Sequence, residues 1–128
     1  MSHGYDTFVG IDVSKDALDV HGLKDGSPSR FDNTAAGRAM LLSLLPPAGA
    51  CLSVVEATGG YERDLVAEAV AAGHHIAVVN PRQVRDFAKA LGLLAKTDQI
   101  DAAVIARFAE TTRPVPKGYE ERQEQLRE

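Results

Sequence analysis

Between residues 7 and 33 the chain carries three strand-length runs joined by links too short to hold a helix, and this spacing limits its topology more than any other feature. "TFVGIDVSK" (7–15) alternates, with Val9, Ile11 and Val13 on one face and Phe8, Gly10 and Asp12 on the other, which is the period of a strand. "ALDVHGLK" (17–24) follows at once, and "DGS" at 25–27 is a hairpin-type turn signal before a third short strand, "SRFDN" (29–33). Three strands with such tight connections make an antiparallel meander.

After residue 33 the rhythm changes. Asn33-Thr34 can cap a helix over "AAGRAMLLSLL" (35–45), which "PPAG" at 46–49 terminates. "CLSVVE" (51–56) is a nearly continuous apolar run of strand length, suited to a strand buried on both faces. A helix through "YERDLVAEAVAAG" (61–73) places Leu65, Val66, Ala69 and Val70 at helical spacing, and "HIAVVN" (75–80) is a further buried strand. Pro81 fits the first turn of a helix over 81–91, and a last helix runs from about 98 to 110 before "RPVPKG" breaks it. The order βββαβαβαα, with two single-strand returns that each need a right-handed crossover, implies an α/β fold with a mixed five-stranded sheet flanked by helices.

A chain of 128 residues with 45% apolar and 25% charged residues is enough for one core. No run of eighteen apolar residues occurs and the start, "MSHGYDTFVG", has no signal-peptide pattern, so a cytoplasmic protein with no membrane contact is expected. The single cysteine, Cys51, lies in an apolar run and reads as a core thiol. The net charge of −4 argues against holding nucleic acid by bulk electrostatics alone. Locally the balance differs: residues 82–96 carry Arg82, Arg85, Lys89 and Lys96 against Asp86 only, a stripe that suits a phosphate ligand or a solvated helix face.

Four carboxylates stand out. Asp12 lies within an apolar strand, where an ionised group needs a partner, an ion or an open face. Glu56 closes the buried strand at its carboxyl end and precedes "ATGGY", whose glycines permit a sharp turn. Asp98 reads as an N-cap and Asp101 as a first-turn residue of the last helix, and three residues apart they can also face a common ion. If the first strand neighbours strand 51–56, Asp12 and Glu56 stand side by side with the last helix laid across them. Four carboxylates at one spot suit Mg2+ or Mn2+ and metal-assisted phosphoryl displacement.

The motifs "GIDVSK", "VxEATGGY", "NPxQVRxFAxALG" and "KTDxxDAxxIARFA", in this order over about residues 7–112, resemble the amino-terminal domain of the DEDD transposases, the insertion-sequence family numbered one-ten that includes the Piv-type DNA invertases. The resemblance implies a ribonuclease H-like fold of the RuvC resolvase type. It also implies a catalytic, metal-binding tetrad on Asp12, Glu56, Asp98 and Asp101 and Mg2+ or Mn2+ as cofactor. DNA is the implied partner, with a guide RNA in some relatives and a homo-oligomer as the working form. Residues 1–113 would be the catalytic domain and 114–128 the start of a helical connector to a carboxy-terminal domain. The expected activity is DNA strand cleavage and exchange in the movement of an insertion element.

Arg82, Arg85, Lys89 and Lys96 are the expected phosphate contacts. Ser14, Lys15 and Thr58 are expected to orient the carboxylates they flank. Tyr61 and Phe87 read as core or helix-face residues rather than base-stacking ones. Two other readings stand beside the recombinase: a non-catalytic nucleic-acid-docking or assembly module, in which the carboxylates are structural, and a fragment of an actin-like or sugar-kinase ATPase. The ATPase reading leaves the Asp98/Asp101 pair unexplained.

Overall fold

The computed structural model describes residues 4–23, 27–93 and 100–117. Its elements are β1 (Thr7–Val13), β2 (Ala17–His21), β3 (Ser29–Asp32), α1 (Ala35–Leu44), a single 3-10 turn (Ala48–Ala50), β4 (Cys51–Glu56), α2 (Arg63–Ala71), β5 (His75–Val79), α3 (Pro81–Ala90) and α4 (Ala102–Thr112). The five strands form one sheet in the order β3-β2-β1-β4-β5. β1, β2 and β3 pair antiparallel, whereas β1/β4 and β4/β5 are parallel. The expected mixed α/β sheet is therefore present, and its centre is the β1/β4 pair.

Alternation along the strands divides the interior into two layers. Val9, Ile11 and Val13 of β1, with Cys51 and Val55 of β4, pack on one face with Leu41 of α1 and Leu65 and Ala69 of α2. Leu52 and Val54 of β4, with Ala77 and Val79 of β5, pack on the other face with Val84 of α3 and Ile105, Phe108 and Ala109 of α4. Each layer removes a dozen or so side chains from water, at about 1.5–3 kcal/mol for each large apolar one. Cys51 is a core thiol, and burial pushes its pKa up to about 11, which leaves it unreactive.

Gly10 sets how closely α4 can approach. A Cβ built on Gly10 would lie 2.1 Å from the Ala102 carbonyl oxygen and 2.4 Å from the Ala106 amide nitrogen. Only a residue without a side chain lets the helix backbone rest on β1 here.

Helix starts follow the sequence signals. Thr34 caps α1 by accepting from Gly37 N at 3.1 Å, and Asn80 caps α3 by accepting from Arg82 N, with Pro81 at its first turn. α2 begins two residues later than the helical pattern, because Gly59 and Gly60 have φ of 80° and 122° and "GGYE" is spent on a turn. β2 ends at His21 rather than at 24, where Gly22 takes φ of 107°. The last helix differs most: it starts at Ala102, with Asp101 as N-cap rather than first-turn residue.

Beyond α4, Arg113 adopts a left-handed conformation (φ 46°) and lays its guanidinium 5.1 Å from the Phe8 ring centroid. The segment 113–117 then returns to the sheet, where Lys117 N donates to Ile76 O of β5 at 2.7 Å.

Candidate carboxylate site

Asp12 is the penultimate residue of β1 and Glu56 the last of β4. The parallel register pairs Ile11 with Val55, so the next residues, Asp12 and Glu56, leave the two central strands side by side. By alternation both share the face of Gly10 and Val54, the face that α4 covers. Asp101 caps that helix, its Oδ1 accepting from Val104 N at 3.0 Å. Asp12 and Glu56 thus leave adjacent strands at the carboxyl end of the sheet, where open α/β sheets collect ligands, and Asp101 is near enough for its charge to act on Asp12.

Their electrostatics record the crowding. The Asp12 carboxyl is raised above the usual range, first by burial and then by the negative charges of Asp19 and Asp101. Glu56 is pushed up to about 7 by burial and by Asp12, against a smaller opposing effect of Arg85. Glu56 Oε2 is buried and meets no hydrogen-bond partner among the described residues. A buried carboxylate oxygen without a donor is costly unless it is protonated or meets a cation.

This donor set fits a hard divalent cation in its chemistry: oxygen ligands only, one orphaned oxygen, and negative charge in excess. Among the described residues no group of three or more His, Cys, Asp and Glu side chains closes into a ready-made metal shell. Asp98 and Lys96 lie outside the described residues.

α3 supplies the positive charge. Arg82, Arg85 and Lys89 recur at helical spacing opposite the buried Val84 and Ala88. Arg82 and Arg85 line a cavity of about 370 Å3 together with Glu56, Pro81 and Ile100, so these two arginines border Glu56 directly. Lys89, in the last turn of α3, is exposed and does not line this cavity.

Two of the three flanking residues have local partners. Ser14 Oγ donates to Ala17 O and accepts from Ala17 N, closing the β1/β2 turn. Thr58 Oγ1 donates to Glu62 at 2.8 Å and thereby orders the loop after Glu56. In both, a short hydroxyl side chain takes a partner within its own turn or loop rather than Asp12 or Glu56. Lys15 is exposed on the same turn as Ser14.

Sequence reading missed Asp19. It is the cross-strand partner of Asp12 and is held by Arg30 at 3.1 Å. The signal was available in the short β1/β2 link, which fixes the register and puts two carboxylates opposite each other, a destabilising pairing that needs an answering cation. Asn33 and Glu62, which tie down the loops around the site, were also missed.

The mixed five-stranded α/β sheet is consistent with a DEDD transposase domain, and the family model of the DEDD transposases of the IS110 type, described as "Transposase", matches residues 9–128. The chain belongs to this family. It is similar to the "Pilin gene-inverting protein" of Moraxella lacunata, with 30% identity over 114 residues that cover 84% of this chain and 35% of that protein. The protein of the same name in Moraxella bovis is 31% identical over 115 residues, again 84% of this chain and 35% of the relative. The chain thus spans about a third of the length of the curated relatives it matches.

Proposed function

We propose that the chain is the catalytic part of a DNA transposase or site-specific recombinase that cleaves and exchanges DNA strands with Mg2+ or Mn2+. The observation that carries this reading is the side-by-side exit of Asp12 and Glu56, with the charge of Asp101 acting on Asp12, beside a cavity that Arg82 and Arg85 share with Glu56. Membership of a transposase family and likeness to two gene-inverting proteins support it.

In this reading Asp12, Glu56, Asp98 and Asp101 hold the cation. When bound, it supplies charge neutralisation for an in-line phosphoryl displacement and activates the attacking oxygen. The protein's own part is placement. Asp12 and Glu56 are fixed by strands hydrogen-bonded on both edges, and Asp101 by its cap bond to α4. Arg82 and Arg85 draw the scissile phosphate towards the acidic strand ends, with Lys89 and Lys96 extending the contact along the backbone. Residues 1–113 form the catalytic domain and 114–128 begin the connector. The reading also includes a cytoplasmic setting, a guide RNA and assembly of several copies.

The test is titration with Mn2+ by calorimetry, for the chain and for Asp12→Asn and Glu56→Gln, with strand exchange measured in the full-length protein. Saturable binding lost in both variants, with exchange abolished, is expected. Normal exchange by Asp12→Asn would overturn the reading in favour of the docking module.

A further inference from the structure

Phe87 and Tyr61 look alike in the sequence, but the structure separates them. Phe87 packs edge-on against Phe108, ring centroids 5.4 Å apart, inside the α3/α4 layer. Tyr61 is 51% exposed and is the only aromatic side chain in the exposed class among the described residues.

The loop that carries Tyr61 is held from within. Gly59 and Gly60 turn the backbone, and the Glu62 carboxylate beneath it accepts from Thr58 N (3.0 Å), Thr58 Oγ1 (2.8 Å) and Gly60 N (3.2 Å). The Tyr61 carbonyl accepts from Asn33 Nδ2 at 3.2 Å. The same Asn33 amide donates to Ser14 O at 3.0 Å. Asn33 is itself fixed, its Oδ1 accepting from Arg38, which pairs with Glu68 at 2.9 Å.

Ser14 follows Asp12 by two residues and the Tyr61 loop leaves β4 directly after Glu56. One amide group therefore ties the Tyr61 backbone to the exits of both carboxylate-bearing strands. The polar groups of the loop turn inward and the ring is left to solvent. An aromatic face on a preorganised loop loses little conformational entropy when a flat partner stacks on it.

We propose that Tyr61 is a stacking platform for an unpaired nucleobase of the strand that enters the carboxylate site, an inference that rests on the strand-cleavage reading above. Stacking is tolerant of sequence, because every base has a π face, and it complements the phosphate contacts of the basic stripe.

The test measures binding of a dye-labelled, thymidine-only single strand by fluorescence anisotropy, without divalent metal, across a series of salt concentrations. Tyr61→Ala and Tyr61→Leu should bind about 5- to 100-fold more weakly, and Tyr61→Phe within about twofold of the parent chain. The dependence of log affinity on log salt should stay the same in all three, because no charge is lost, whereas Arg82→Ala should flatten it. Circular dichroism melting checks that the exposed substitutions leave the fold intact. Tyr61→Ala binding as tightly as the parent would overturn the inference and leave the cleavage reading standing. No binding by the parent chain would overturn it too, and the metal titration then judges the cleavage reading on its own.

Discussion

Gly10→Ala tests how the site is assembled, because one added methyl group acts on the element that carries Asp101. The new Cβ would meet the Ala102 carbonyl at 2.1 Å, and real Cβ atoms essentially never approach below 3.0 Å, so a separation of about 0.9 Å must be found. β1 is paired on both edges and cannot retreat, so α4 must lift. That loosens Ile105, Phe108 and Ala109 in their layer. Overpacking of this kind costs about 1–3 kcal/mol. For a domain of this size it corresponds to a fall in melting temperature on the order of 5–12 °C. Gly49→Ala is the control, since nothing lies within 4 Å of a Cβ there. Thermal melts of both variants, followed by Mn2+ titration, read the effect. Gly10→Ala should melt lower and bind Mn2+ more weakly, because Asp101 moves with the helix, and in the full-length protein a misplacement near 1 Å costs about a hundredfold in rate. A Gly10→Ala melting point equal to that of Gly49→Ala would refute the close-approach argument.

Three further outcomes are expected. Without divalent metal the folded state should lose stability as pH rises from about 4.5 towards about 7, because Glu56, with Asp12 shifted in the same direction, binds its proton more tightly folded than unfolded. The loss is of order 1–3 kcal/mol after allowance for partial solvent exposure, and denaturant titrations at several pH values should show it removed in Glu56→Gln; a flat profile in the parent chain contradicts the burial argument. Arg82→Ala and Arg85→Ala should each weaken DNA binding and reduce the salt slope by about one, as measured by anisotropy, and unchanged slopes would remove α3 from the interface. Glu62→Ala should speed amide hydrogen exchange at Thr58 and Gly60 by tenfold or more, a change of about 1.4 kcal/mol in local opening, and retained protection would show that the loop is held by something else.

Much of the fold was legible because its elements announce themselves locally. The short links before residue 33 imply a meander, and "CLSVV" suits a strand covered on both sides. Once β1 and β4 are neighbours, Asp12 and Glu56 follow from their positions in the two strands. What was hidden depends on choices between near-equal local options. Asp101 reads locally as a first-turn residue, whereas α4 starts at Ala102 with Asp101 as its cap and its backbone resting on Gly10, a close approach that no local signal announces. Ser14 and Thr58 flank the carboxylates in sequence, yet each hydroxyl bonds within its own turn or loop. Asp19 emerges only when the strand register is known, and the exposure of Tyr61 only when the "GGYE" turn is seen to delay α2.

The segment after α4 has a consequence for how copies of the chain can meet. Residues 113–117 fasten to β5 through Lys117 N and Ile76 O, and Pro114 and Pro116 within that segment have no amide hydrogen to offer an incoming strand. A strand edge guarded in this way is a poor template for strand addition. The opposite edge, β3, has only four residues and carries the Arg30 charge. The sheet is therefore closed to growth at both margins. Contacts between copies of the chain should form through helices and loops, without the fusion of sheets that leads to fibres.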